Sequence, residues 1–147
     1  MTDEEGIRRT LAEYCHCLDD ARVDDFVKLW TEDGVFTSLS VSSRGRPAIA
    51  QWGARLTTEE TRRAERKHLT FNSVIDLDGE SAGVVSDFIS IWKTPRGAVI
   101  ARAGRYHDRL VKDGDRWRFA ERTVIASTWS PPDDQSASPG DQKAPAP

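Results

Sequence analysis

The chain has 147 residues, which is enough for one domain with a hydrophobic core and too few for two domains of ordinary size. Its 21 basic and 24 acidic side chains leave a net charge of −3, which gives no general attraction to nucleic acid or to an anionic membrane. No apolar stretch reaches the roughly 20 residues that span a bilayer, and no basic and hydrophobic leader follows Met1. These features predict a soluble cytoplasmic protein without nucleic-acid or membrane partners.

The first predicted element is an amphipathic helix from about Asp3 to Leu18. Its apolar side chains recur every three or four residues and form one stripe: Ile7, Leu11, Tyr14, Cys15 and Leu18. Asp19 lies at the edge of this stripe. Burying an unpaired carboxylate there costs on the order of several kcal/mol. Asp19 therefore either caps a helix junction or meets a buried hydrogen-bonding partner.

The only two cysteines of the chain, Cys15 and Cys17, flank His16 in this helix. Residues two apart on a helix point about 200° away from each other, so these thiols cannot share a metal ion or form a disulfide. We expect Cys15 in the core, His16 at the surface, and no metal site.

Three more elements are predicted before residue 57. A second helix carries Val23, Phe26, Val27 and Trp30 at helical spacing and stops at Gly34. Alternating β-branched and aromatic residues predict a first strand from Val35 to Val41. A turn at 44–47 then leads into a third helix with Ala48, Ile49, Trp52 and Leu56 on one side.

The second half of the chain has the period of β-strands. After a charged segment, 57–67, whose mixed signs are typical of a solvated face, four long strands are predicted at 69–77, 81–93, 99–112 and 117–127. Short turns between them make consecutive strands antiparallel neighbours, so the fold class is α+β with helices on one sheet face. We place the domain at residues 1–129 and expect a disordered tail rich in Pro, Ser and Asp at 130–147, to which Trp129 could be the last docked residue.

Candidate chemistry is concentrated on one side of three strands. Alternation places His68, Thr70 and Asn72 on one face of the first long strand. The corresponding faces of the next two strands mix small, polar and aromatic residues, as a ligand cavity does: Ser86, Phe88 and Trp92, then Arg102, Gly104 and Tyr106. If the helices cover this side of the sheet, the His68 side chain points toward Tyr14 and Asp19.

The sequence resembles a known family at several points: Tyr14 to Asp19, the stretches 24–26 and 29–36, Gly45-Arg46, His68-Leu69 with Asn72, and residues 104–106 and 117–119. Together these are similar to the SnoaL-like domain of the nuclear-transport-factor-two-like superfamily, over roughly residues 4–126. The resemblance implies a cone, in which a curved antiparallel sheet wraps around the N-terminal helix with two or three helices on its concave face. It further implies a mostly apolar pocket and a homodimer formed through the convex sheet face.

The resemblance implies catalytic residues at two positions of this chain. Asp19 and His68 match the aspartate and histidine of the scytalone dehydratase-like members, in which the aspartate orients the histidine. The second histidine of those dehydratases is absent, since Trp92 stands in that region and His107 alternates to the opposite face. Their two-histidine mechanism is therefore not transferred to this chain.

A carboxylate on one imidazole nitrogen fixes the tautomer and leaves the other nitrogen to exchange a proton near neutral pH. We therefore expect a small-molecule acid–base enzyme without metal or organic cofactor, of isomerase, cyclase or dehydratase type, using Asp19 and His68. Its ligand would be a hydrophobic, cyclic carbonyl or hydroxyl compound. The expected substrate contacts are Tyr14, Trp30, Phe36, Asn72, Ser86, Phe88, Trp92, Arg102 and Tyr106.

Two other functions fit the same sequence. The missing second histidine and the aromatic side chains are also compatible with a module that binds an apolar ligand without changing it. The chain could also support a larger catalytic partner, as the small subunits of ring-hydroxylating dioxygenases in this superfamily do.

Overall fold

The computed structural model describes residues 1–59 and 65–127. The helices are α1 (Asp3–Asp19), α2 (Val23–Lys28) and α3 (Arg46–Leu56). The strands are β1 (Trp30–Thr37), β2 (Ser42–Arg44), β3 (Lys67–Asp78), β4 (Ser81–Thr94), β5 (Gly97–Asp113) and β6 (Arg116–Ala126). The predicted tail, 130–147, and Trp129 lie outside the described residues, as does part of the charged segment.

One curved sheet of six strands, in the order β2-β1-β6-β5-β4-β3, wraps around α1. This confirms the predicted α+β cone. The three hairpins from β3 to β6 are antiparallel as predicted, but β1 lies parallel to β6, so the sheet is mixed rather than wholly antiparallel. A parallel neighbour is possible because α3 and four strands separate β1 from β6 along the chain, which leaves room for a crossover connection.

The N-terminal helix begins at a complete capping box. The Thr2 hydroxyl accepts a hydrogen bond from the Glu5 backbone, while the Glu5 carboxylate accepts one from the Thr2 backbone at 2.7 Å. The apolar stripe predicted for this helix is buried, and Ile7 is fully enclosed. Both cysteines are buried and His16 is exposed. The stripe thereby fixes which way Asp19, the last residue of α1, faces.

The prediction for the region after α2 was wrong in its boundaries. The second helix ends at Lys28, and Trp30 opens β1 instead of closing the helix. The reason is tertiary, because the Phe119 backbone N–H donates to the Leu29 carbonyl at 2.8 Å and Trp30 pairs with Phe119 of β6. Gly34 consequently lies within a strand, and residues 38–41 form the turn that joins β1 to β2.

Within the described part of the chain, no helix is long and apolar enough to cross a membrane.

Candidate active site

Asp19 is held where α1 meets the start of β3. Its side chain is only 4% exposed, and it accepts hydrogen bonds from the His68 backbone N–H at 3.1 and 3.2 Å. Its Oδ1 atom also lies 2.7 Å from His68 Nδ1. These contacts supply the partners that a buried carboxylate needs, and Lys67 Nζ adds a more distant positive charge at 3.8 Å.

His68 is therefore fixed at two points, through its backbone and through Nδ1. The Asp19 carboxylate can only accept, which favours the tautomer with the proton on Nδ1 and leaves Nε2 with a lone pair. Within the described residues, Nε2 makes no hydrogen bond, and the side chain is 22% exposed. Asp19 thus fixes the orientation of the imidazole ring through Nδ1, and Nε2 remains available to a ligand.

The imidazole lines a groove of about 450 Å³ between α1 and the first half of β3. This volume falls within the range of about 300–1,000 Å³ that is common for small-molecule sites. Its wall includes Leu11 and Cys15 from the helix and Thr70 from the strand. The Cys15 thiol lies 3.4 Å from the Thr70 hydroxyl, and burial raises the pKa of Cys15, so this thiol stays protonated and neutral.

The aromatic residues predicted to line an apolar pocket pack against one another. Tyr14 lies 5.3 Å from Phe26 and 6.1 Å from Tyr106, measured between ring centroids. Trp30 and Phe36 are also buried, and Phe36 stacks at 4.0 Å on Trp52. Phe88 stacks on Tyr106 at 4.4 Å with nearly parallel rings. The structure therefore brings Tyr14, Trp30, Phe36, Phe88 and Tyr106 together as one ring cluster.

An ion pair that the sequence reasoning missed lies inside this cluster. The Arg122 guanidinium donates to both carboxylate oxygens of Asp108, at 2.8 and 2.7 Å, and both side chains are fully buried. The guanidinium carbon also lies 4.1 Å from the Tyr14 ring and 3.9 Å from the Tyr106 ring. Burial lowers the pKa of Arg122, but the charge and hydrogen bonds of Asp108 more than offset this and raise it above its ordinary value.

Both tyrosines of the chain should resist ionisation in alkali. Burial raises the pKa of Tyr14 to about 12 and that of Tyr106 well above its ordinary value of 10.0. Because the folded-state pKa is the higher one, this contribution to stability is fully present below about pH 10 and is lost as the pH rises to about 12. In an alkaline titration, tyrosinate absorbance should appear together with loss of the circular dichroism of the fold. Tyrosinate forming near pH 10 with an intact fold would contradict this burial.

The other four predicted contacts are Asn72, Ser86, Trp92 and Arg102. A bulge between Phe71 and Val74 turns Asn72 outward at φ 51°, where its amide donates to Asp87 at 3.1 Å. The same bulge brings Ser73 inward, and its hydroxyl lies 2.9 Å from that of Ser86. Asn72 nevertheless lines the groove, although its amide is engaged by Asp87.

Arg102 is exposed and lies opposite Ser90 in the β4–β5 ladder, while Ala101 is buried at the register shift that follows. That Arg102 contacts a ligand stays a prediction. Trp92 is half-buried, with the Arg66 guanidinium 4.3 Å above its ring. Of the predicted site residues, Asp19 and His68 are thus the two that the structure places in direct contact at the groove.

Several solved structures share this fold. The Mycobacterium tuberculosis protein Rv3472, of unknown function, is 28% identical with a TM-score of 0.77, over 85% of this chain and 72% of its own. A nuclear-transport-factor-two-like protein with a cystatin-like fold from Novosphingobium aromaticivorans is 20% identical with a TM-score of 0.77, over 87% of this chain and 84% of its own. A candidate scytalone dehydratase from the same organism is 22% identical with a TM-score of 0.75, over 97% and 95% of the two chains.

The last two likenesses show the fold alone, because their identity is low. No curated protein matches the chain. The family is shown by the sequence itself, since the model of the SnoaL-like domain matches residues 1–123. This chain therefore belongs to the SnoaL-like domain family, in agreement with its cone-shaped fold and with the resemblance seen in its sequence.

Proposed function

We propose that this protein is an acid–base catalyst that acts on a small hydrophobic, cyclic carbonyl or hydroxyl compound. The observation that carries the proposal is the 2.7 Å contact between Asp19 and His68 Nδ1, with the imidazole lining a groove. Asp19 orients the ring through Nδ1, and Nε2 exchanges the proton. The imidazole supplies this chemistry without a metal ion or an organic cofactor.

The proton transfer can begin any of three reactions. Nε2 of His68 removes a proton from the carbon next to a carbonyl group, and the electron pair of the C–H bond moves into an enolate. Return of the proton to another carbon gives an isomerisation. Attack of the enolate on a second carbonyl gives an aldol cyclisation, in which the new alkoxide takes the proton from the imidazolium. Loss of a β-hydroxyl that takes this proton and leaves as water gives a dehydration.

Hydrogen exchange tests this step without knowledge of the product. In deuterium oxide, the wild-type protein should speed deuterium incorporation next to the carbonyl of cyclic ketones such as tetralones and cyclohexanones. The substitution His68→Gln should slow this exchange by about 10²–10⁴-fold, the usual contribution of a positioned general base. Mass spectrometry of the recovered ketones provides the measurement.

His107→Gln is the matched control, because His107 is exposed on the other face of the sheet. It should exchange at the wild-type rate. If His68→Gln also exchanged at the wild-type rate, the acid–base role would be wrong. If the wild type bound a ketone but left it unexchanged, a ligand-binding module would be the better description.

We also propose that two copies associate through the outer sheet face. Phe71, Asp87, Arg105 and Ile125 lie side by side across four strands, with Asp87 and Arg105 paired at 2.8 Å. Phe71 is 39% exposed and Ile125 is 53% exposed. Exposed apolar side chains on either side of an ion pair suit an interaction surface, and a two-fold axis would place the same row on both copies.

Light scattering after size-exclusion chromatography should find a dimer for the wild type and a monomer for Phe71→Glu, since the new charge would be buried beside the like charge of Asp87. Leu39→Glu is the control, because Leu39 is 91% exposed in the turn before β2 and should leave the dimer intact. A monomeric wild type at high concentration would contradict the association.

A further inference from the structure

Ser90 is a buried hydroxyl group without a partner. It is 3% exposed, and its Oγ atom makes no hydrogen bond within the described residues. Leaving such a group unsatisfied costs about 1–3 kcal/mol. Ser86, four residues earlier on the same face of β4, shows the usual arrangement, since its hydroxyl pairs with Ser73. Packing alone therefore does not explain why a hydroxyl group is buried at Ser90.

The position of Ser90 relates it directly to the imidazole. Ser90 is the residue opposite His68 in the antiparallel β3–β4 ladder. Side chains of opposite residues share one face, with Cβ atoms about 4.5–5.5 Å apart. The structure contains no hydrogen bond between the two, and the Nδ1 side of the ring is already taken by Asp19. The Ser90 hydroxyl and His68 Nε2 are thus two neighbouring groups that can each still form a hydrogen bond.

The other polar side chains nearby on β3 are already engaged. Thr70 contacts Cys15, Ser73 pairs with Ser86, and Asn72 donates to Asp87 on the outer face. Among the described residues of these two strands, Ser90 is therefore the buried hydroxyl that has no hydrogen-bond partner at all.

We propose that Ser90 binds the substrate oxygen beside His68. Its Oγ–H donates to the carbonyl oxygen while His68 Nε2 takes the proton from the adjacent carbon, so that the hydroxyl stabilises the negative charge that develops on that oxygen. This proposal deepens the acid–base function above and rests on it. It narrows the substrate to an enolisable carbonyl compound. A hydrogen-bond donor beside the base stabilises the negative oxygen of an enolate, and a simple alcohol forms no enolate.

Nitrophenols are suitable probes, because a phenolate places a negative oxygen where the enolate oxygen would lie. At a fixed pH, absorbance titration should show that the wild type binds nitrophenolate and that Ser90→Ala binds it roughly 10-fold more weakly, as expected for one hydrogen bond to a charged acceptor. His68→Gln should also bind it more weakly. Ser81→Ala, at the other end of β4, should bind it like the wild type, since Ser81 already donates to the Leu110 carbonyl.

Two further measurements exclude a merely structural role. Thermal unfolding of Ser90→Ala should have a midpoint equal to or above that of the wild type, because the lost hydroxyl has no partner, whereas Ser86→Ala loses its contact with Ser73. The ring ¹⁵N chemical shifts of His68 at fixed pH should be the same in Ser90→Ala and the wild type. A lower unfolding midpoint for Ser90→Ala would overturn the proposal in favour of a packing role.

The outcomes separate this proposal from the function on which it rests. Wild-type affinity in Ser90→Ala with weakened binding in His68→Gln would overturn the role of Ser90 and leave the acid–base function standing. Weakened binding in Ser90→Ala alone would support the oxygen contact and count against His68. If the wild type bound no nitrophenol, the oxygen site would be refuted, while deuterium exchange would still decide the acid–base function.

Discussion

Replacing Asp108 by alanine is expected to lower the free energy of unfolding by about 3–5 kcal/mol, the cost of leaving one member of a buried ion pair alone. Both side chains of the Asp108–Arg122 pair are fully buried, and the guanidinium is enclosed by the rings of Tyr14 and Tyr106. Water cannot replace the lost carboxylate there without opening the core. Urea unfolding followed by circular dichroism measures the change.

The same two strands provide a matched control for this substitution. Arg109 and Glu121 form an ion pair at 2.9 Å one residue away, but their side chains are 49% and 56% exposed. Replacing Glu121 by alanine should therefore change the stability by about 0–1 kcal/mol, as solvated pairs generally do. Equal effects of Asp108→Ala and Glu121→Ala would show that burial does not set the strength of the inner pair.

Replacing Gly104 by alanine is expected to destabilise the fold by about 3 kcal/mol through overpacking. A Cβ atom at Gly104 would lie 2.8 Å from Phe88 Cε1 and 2.9 Å from Ala126 Cα, and still closer to the Ile125 carbonyl oxygen. Two of these three neighbours are backbone atoms of β6, so relief requires a shift of the strand and of the Phe88 ring that stacks on Tyr106.

Gly83 provides the comparison, because it lies within β4 and a Cβ atom there meets nothing within 4 Å. Gly83→Ala should be neutral or stabilise the fold by about 0.5 kcal/mol, since alanine loses less backbone freedom on folding. Denaturant midpoints of the two variants provide the measurement. A Gly104→Ala variant as stable as Gly83→Ala would mean that β5 and β6 are not as closely packed as described.

The sequence was sufficient for features that depend on local patterns. The apolar stripe of α1 fixes which face is buried, and Asp19 could be located because a carboxylate at its edge violates that pattern. The three hairpins were predictable from turn residues such as Asp78-Gly79 and Asp113-Gly114, which place consecutive strands side by side.

Features that depend on irregular strand pairing could not be predicted. The short turn pairs Asp113 with Arg116, and the same register continued along the hairpin would oppose Asp108 to Glu121, two like charges. A shift between Arg109 and Leu110 moves the register by one residue, so that Asp108 faces Arg122 instead. The bulge at Asn72 acts in the same way on the site face, because no side-chain pattern marks where alternation skips a residue.

Local sequence patterns also could not predict that β1 pairs with β6. Val23, Phe26 and Trp30 have helical spacing, but the ladder with β6 makes Trp30 a strand residue. Contacts between residues about 90 positions apart decide this boundary, as tertiary pairing commonly overrides local preference.

The proposed chemistry depends on Asp19 holding His68 with its proton on Nδ1, so that Nε2 can accept another. Nuclear magnetic resonance of ¹⁵N-labelled histidine measures this tautomer directly in the neutral ring. We predict for His68 a protonated Nδ1 and an unprotonated Nε2 in the wild type, and loss of this preference in Asp19→Ala. A wild-type His68 with the proton on Nε2, unaltered by Asp19→Ala, would contradict the account.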